Sequence, residues 1–171
     1  KEPILEVLRK VFSKTESVLE IGSGTGQHAV HFSKHLSHLV WQPTELGENV
    51  AMLKNRIDLE GPGNLLPAKE LDVLWNNWEL EKTDAVFIAN VFHIAPIEVM
   101  HSCLLGTSKC LKRLVVFCVY GPFRFEGKFT SPSNAEFDSS LRANNPEWRI
   151  RDFEQLCQVA EERGFTFQHN Y

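Results

Sequence analysis

The stretch Val18–Ser33, VLEIGSGTGQHAVHFS, decides how the chain is read. Val18, Leu19 and Ile21 make a short, nearly continuous apolar run, the pattern of a strand buried on both faces of a parallel sheet. Gly22, Gly24 and Gly26 follow at alternate positions. Glycine lets a chain turn sharply out of a strand and lets a ligand approach the backbone. Ala29, Val30 and Phe32 continue at helical spacing, so strand, glycine turn and helix are predicted in succession. A helix starting there aims free N–H groups and a partial positive charge at whatever lies over the turn.

Three nucleotide-binding patterns compete for this turn. A phosphate-binding P-loop requires Lys after its last glycine, and Gln27 follows Gly26, so that pattern is excluded. The dinucleotide fingerprint fits Gly22 and Gly24 but then meets Gln27, where close helix–strand packing wants a small residue. What remains is Glu20-x-Gly22-x-Gly24-x-Gly26, an acidic residue in the strand end followed by alternating glycines. It resembles the first motif of the class I S-adenosylmethionine (SAM)-dependent methyltransferases. Glycines alone would also suit a plain tight turn; Glu20 and the strand–helix context favour the nucleotide.

Composition fits one globular domain. The 171 residues are 43% hydrophobic and 23% charged, enough to close one core. No apolar run reaches membrane-spanning length, and there is no signal-peptide pattern. Cys103, Cys110, Cys118 and Cys157 form no C-x-x-C pair and stand among apolar neighbours, as reduced core cysteines of an intracellular protein do. These features predict a cytoplasmic protein, with the nucleus as a second compartment. A net charge of −4 without a basic run argues against a nucleic-acid surface.

Helices are predicted over Pro3–Phe12, Asn49–Leu59, Ile97–Ser108, Asn134–Ala143 and Asp152–Arg163, the last opened by an Asp152/Gln155 capping box. Strands are predicted at 39–41, stopped by Pro43, near Leu71–Val73, over Asp84–Asn90 and Leu114–Tyr120, and in the terminal GFTFQHNY. Residues 123–133 read as loop. Strands alternating with helices make an open α/β sheet, whose ligands sit beyond the carboxyl ends of the strands. Glu20 to Gly26, Glu45, Asp72, Asn90 with His93, and Tyr120 all fall at those ends. Glu45 follows Gly26 by nineteen residues, the separation at which a carboxylate reaches a nucleotide ribose. The alternative is a solvated turn residue, since Glu48 stands close by. Asp72 equally suits capping of the turn that follows. His93 is placed to take a proton from an O–H or N–H group near neutral pH. Asn134, Asp138 and Arg142 share one helix face, Asp138 and Arg142 at ion-pair spacing and Asn134 as a substrate contact. His31 and His35 are read as a solvated helix face rather than a metal pair.

Further motifs narrow the resemblance: AlaAsn-x-x-HisIle-x-Pro (89–96), TyrGlyProPhe (120–123), SerAsn-x-x-PheAsp-x-x-LeuArg (133–142), AsnProGluTrp-x-x-ArgAsp (145–152), GlyThrGlyGlnHis (24–28) and TrpGlnPro (41–43). Through them the chain resembles the methyltransferase-like protein 26 family, over nearly its whole length. The resemblance implies a class I methyltransferase Rossmann-like three-layer sandwich, one domain over 1–171 with an inserted lid at 122–145. Its sheet is mostly parallel, and the last strand is missing from the chain. It implies SAM as cofactor, with S-adenosylhomocysteine as product, held by Glu20, Gly22, Ser23, Gly24, Gln27, Glu45, Asp72, Val73 and Asn90. Glu45 would bind the ribose hydroxyls and Asp72 the adenine amino group. Catalysis falls to His93, Asn90 and Tyr120, acting on an unidentified small or medium-sized methyl acceptor. A SAM-binding scaffold with little turnover shares the same cofactor residues, and a nicotinamide oxidoreductase is disfavoured by Gln27. With the final strand missing, the edge at Leu114–Tyr120 is expected to be open, or to pair with 165–171 or with a second copy of the chain.

Overall fold

The computed structural model describes residues 1–171, apart from the side chains of residues 111–115. The chain forms two compact units. The first is Lys1–Ala89 with Cys110–Tyr120, and the second is Asn90–Lys109 with Gly121–Tyr171.

The first unit holds a five-stranded, all-parallel sheet of β1 (Ser17–Ile21), β2 (Val40–Glu45), β3 (Lys69–Glu70), β4 (Thr83–Ala89) and β5 (Leu111–Tyr120). The order is β3-β2-β1-β4-β5. Strand order reverses between β1 and β4, the place where ligands collect in open α/β sheets. Helices α1 (Glu2–Val11), α2 (Gln27–His35) and α3 (Gly47–Glu60) accompany it. Pro3 near the start of α1 costs nothing, because N–H groups there have no helical partner. Leu5, Leu8 and Phe12 join Val18, Phe32, Trp41 and Phe87 in one buried cluster. The rings of Phe32, Trp41 and Phe87 lie 5.6–6.0 Å apart, within the range of favourable edge and tilted contacts.

Two local expectations about this sheet are corrected. Pro43 does not stop the second strand, which runs from Val40 through Pro43 to Glu45. Trp41 and Glu45 bond towards β3, through Trp41 N–H to Asn64 and Leu71 N–H to the Glu45 carbonyl, so by alternation the N–H that Pro43 lacks would also face that side. There the Gln42 side-chain amide donates to the carbonyls of both Pro43 (3.0 Å) and Pro67 (2.9 Å), supplying the missing donor. The third strand is only Lys69–Glu70, ending before Leu71.

In the second unit, α4 (Ile97–Cys110, whose last residue belongs to the first unit) is followed by β6 (Phe123–Phe125), β7 (Lys128–Phe129), α5 (Pro132–Asn144), β8 (Arg151–Asp152) and α6 (Phe153–Glu161). The segment expected to be loop contains a hairpin. Glu126 and Gly127 both have positive φ, 51° and 72°, the requirement of a tight two-residue hairpin turn, and β6 pairs antiparallel with β7. β8 adds in parallel to the other side of β6. Helix α5 is capped by Ser131, whose hydroxyl accepts from Asn134 N–H. The expected capping box at Asp152 is absent. That side chain makes no cap bond to α6 and instead accepts from Arg124 at 2.6 Å. Residues 165–171 are irregular, not a strand. Among the described residues no helix is long and apolar enough to cross a membrane.

Candidate active site

In the first unit, β1 leaves the sheet through three left-handed glycines, Gly22 (φ 71°), Gly24 (φ 56°) and Gly26 (φ 78°). Side-chain-bearing residues pay about 1–2 kcal/mol for that conformation. A Cβ on Gly26 would lie 2.8 Å from Leu53 Cδ1, so this glycine also permits α3 to pack against the turn. A Cβ on Gly24 would meet nothing within 4 Å. The turn therefore presents an open face at Gly24 and a packed one at Gly26. It is closed by Gly26 N–H to the Ser23 carbonyl, and tied to β2 by Ser23 N–H to the Thr44 carbonyl, both 2.9 Å. Helix α2 starts at Gly26 with neither a side-chain cap nor an acidic residue in its first turn, which leaves its amino end to bind a negative or polar group.

Glu45 ends β2, 8% exposed, and is fixed from two directions. One carboxylate oxygen accepts from Gly24 N–H and the other from Leu46 N–H at 2.9 Å. Each oxygen keeps a second lone pair, so the carboxylate can still receive two hydroxyl donors. The glycine turn and the acidic residue at the second strand's exit, read separately from sequence, are thus joined by a hydrogen bond.

Glu20 has its own partner within the sheet. It is 1% exposed, one residue before the end of β1, and accepts from the Trp41 indole N–H at 2.9 Å. Thr44 Oγ1 donates to its backbone carbonyl at 2.8 Å. Burial pushes the Glu20 carboxyl up to about 7, the Trp41 bond opposing and the Glu45 charge adding to the rise. The Ser23 hydroxyl lies near enough to favour the ionised form, yet it makes no hydrogen bond of good geometry. Glu20 is thus anchored through Trp41, a partner that spacing gave no reason to choose.

Asp72 follows β3 and accepts from Leu74 N–H at 2.9 Å through Oδ1, while its carbonyl accepts from Trp75 N–H. This is the turn-capping role. Its other carboxylate oxygen has no partner among the described residues, so a ligand amino group remains an acceptable partner. Val73 beside it is buried, Gln27 is exposed on α2, and Tyr120 ends β5 with its side chain 47% exposed.

In the second unit, Asn90 carries a left-handed backbone, φ 59°, directly after the last residue of β4. Asparagine tolerates this better than most residues, and such positions concentrate at functional sites. Asn90 Oδ1 and His93 Nδ1 lie 3.7 and 3.8 Å from the point where a Gly121 Cβ would stand. The two predicted residues are thereby brought to one place, alongside a glycine. His93 is 7% exposed, its ring edge-to-face with Phe137 at 5.4 Å. Burial, then the Arg151 charge, lower its pKa below the ordinary histidine value, so it is neutral at pH 7 and able to accept a proton. Arg151 also clamps the turn bearing His93, donating to the carbonyls of Phe92 (3.0 Å) and Ala95. Asp138 and Arg142 form the expected ion pair at 2.8 Å, and Asp138 also accepts from Ile150 N–H at 2.7 Å. Asn134 Nδ2 donates to Thr130 Oγ1 at 2.7 Å, so it steadies the start of α5. Phe137 and Arg151 were missed by sequence reasoning; their contacts to the 90–95 turn come from 44 or more residues away along the chain.

Comparison with known proteins agrees with this architecture. The chain superposes on an O-methyltransferase family protein from Burkholderia thailandensis with a TM-score of 0.83 at 15% identity, covering 96% of this chain and 51% of that one. It matches PigF with SAH at 0.82 and 17% identity, over 96% and 49%. Human N-acetylserotonin methyltransferase in complex with SAM gives 0.77 and 16% identity, over 96% and 49%. The chain spans about half the length of these proteins, and its fold is that of class I methyltransferases. Over residues 1–171 it matches the family described as "Protein of unknown function (DUF938)", and it belongs to that family.

Proposed function

From this membership of DUF938 and the class I methyltransferase fold, we propose that the protein is a SAM-dependent methyltransferase acting on a small or medium-sized acceptor. The observation that carries the reading is Glu45, locked by Gly24 N–H beside a left-handed glycine turn whose open side is free of packing. SAM and S-adenosylhomocysteine fit this donor set. Glu45 would receive the ribose hydroxyls, Asp72 with Val73 would meet the adenine, and Gly22–Gly24 with the uncapped start of α2 would meet the methionine end. When bound, SAM supplies an electrophilic methyl group on a sulfonium, a transfer that needs alignment and exclusion of water more than covalent help. In this reading His93 accepts the acceptor's proton at Nδ1, Asn90 orients the reacting groups and Tyr120 contacts the acceptor. The motifs at 89–96 and 133–152 favour kinship with the methyltransferase-like protein 26 family and a cytoplasmic or nuclear reaction.

Calorimetric titration with SAM, S-adenosylhomocysteine and NAD tests the cofactor class. Saturable binding of the first two and none of NAD is expected, and the reverse would overturn the reading. A methyl-transfer screen against metabolite extract then tests turnover. SAM binding with no product from any fraction would favour the scaffold instead.

A further inference from the structure

A cavity of about 420 Å³ lies wholly within the second unit, apart from every residue assigned above to the cofactor. Its wall carries three guanidinium groups, Arg124, Arg149 and Arg151, with Asp152, and Glu98 and Glu147 also line it. Arg124 pairs with Asp152 at 2.6 Å. Arg149 and Arg151 have no carboxylate within ion-pair distance among the described residues. Arg149 donates to the Pro146 carbonyl (3.3 Å), and Arg151 to the carbonyls of Phe92, Ala95 and Glu147. Neutral carbonyls satisfy geometry without pairing either charge directly, and the Glu98 and Asp138 carboxylates act on Arg151 from beyond ion-pair distance. Burial and then the Arg149 charge act against the charge on Arg151, Glu98 and Asp138 partly offset them, and Arg151 stays protonated as arginines do. Two donors and one acceptor at the cavity are also buried without partners: Arg124 Nε, Arg149 Nε and Asp152 Oδ1.

We propose that this cavity binds a small anion, a phosphate or carboxylate seated between Arg149 and Arg151. Guanidinium groups favour such ligands because their planar donors match the oxygens in pairs. Glu98 and Glu147 are exposed side chains, so solvent screens the repulsion they exert on an entering anion. The proposal does not depend on methyl transfer.

The test is calorimetry at constant ionic strength with three probes: inorganic phosphate, malate, and succinate, which is malate without its hydroxyl. At least one probe is expected to saturate, and which one does distinguishes a phosphate ligand from a carboxylate. Arg149→Gln should weaken that binding about tenfold or more, the worth of one charged hydrogen bond, and Arg149→Lys should restore part of it. Arg149 makes a single weak carbonyl bond, so its variants should fold, which circular dichroism checks. No saturation with any probe up to tens of millimolar, or unchanged affinity in Arg149→Gln, would overturn the proposal.

Discussion

The buried carboxyl of Glu20 makes stability depend on pH in a direction opposite to that of an ordinary ion-paired acid. Burial pushes its pKa up from the ordinary 4.5 to about 7 in the fold. Between those values the folded protein holds a proton that the unfolded chain has released, so stability falls as pH rises through the window. A rise of that size, at 1.36 kcal/mol per unit, costs about 3 kcal/mol once the pH is above 7. Glu20→Gln imitates the neutral acid and keeps an oxygen for the Trp41 indole. Urea unfolding of both proteins between pH 4.5 and 8.5, followed by tryptophan fluorescence, is the assay. The variant should match the wild type near pH 5 and exceed it by about 2–3 kcal/mol at pH 8. A difference that stays constant across this range would refute the reasoning, because a purely steric or packing effect carries no pH dependence. Glu45→Gln supplies a second arm: removing that charge should lower the folded-state Glu20 pKa, so the difference levels off at a lower pH and at a smaller value, while its onset near the unfolded value stays in place.

His93→Ala should leave S-adenosylhomocysteine affinity within about twofold but reduce turnover by roughly 10²–10⁴. The wild-type rate should rise through a group titrating below the ordinary histidine pKa, and the variant should lose that limb; a near-normal rate in a folded variant would remove His93 from the chemistry. Gly26→Ala should destabilise by about 2–4 kcal/mol, combining left-handed strain with the Leu53 clash, whereas Gly24→Ala should cost about 1–2 kcal/mol. Thermal unfolding compares the two, and equal losses would contradict the geometry of the turn. β5 stands at the edge of its sheet, so concentration-dependent association through that edge is expected in sedimentation. A strictly monomeric protein with a well-protected β5 in hydrogen exchange would argue against it.

What was legible from sequence was local. The β1–turn–α2 unit could be read because apolar run, alternate glycines and helical spacing all act within sixteen residues. Glu45 was found by its distance from Gly26, a separation imposed by the intervening helix and strand. The misreadings came from partners far along the chain. Pro43 stays inside a strand because Gln42 reaches Pro67. Asp152 abandons the cap because Arg124, 28 residues earlier, takes its carboxylate. The Trp41 indole that bonds Glu20 from the neighbouring strand was likewise not legible. The tail 165–171 has β-forming residues yet is irregular, and propensity alone does not make a strand. The hairpin at 123–129 hid behind Glu126, a residue rarely left-handed, with Gly127 as its only cue.

The central claim is that Glu45, set against the glycine turn, holds the ribose of an adenosyl cofactor. Titration of S-adenosylhomocysteine into the wild type and Glu45→Ala, both verified as folded, tests it most directly. Saturable wild-type binding is expected, weakened in the variant by about 1.5–3 kcal/mol, roughly 10- to 150-fold, as hydrogen bonds to a charged group are worth. Equal affinity in the two proteins, or no binding by the wild type, would contradict it.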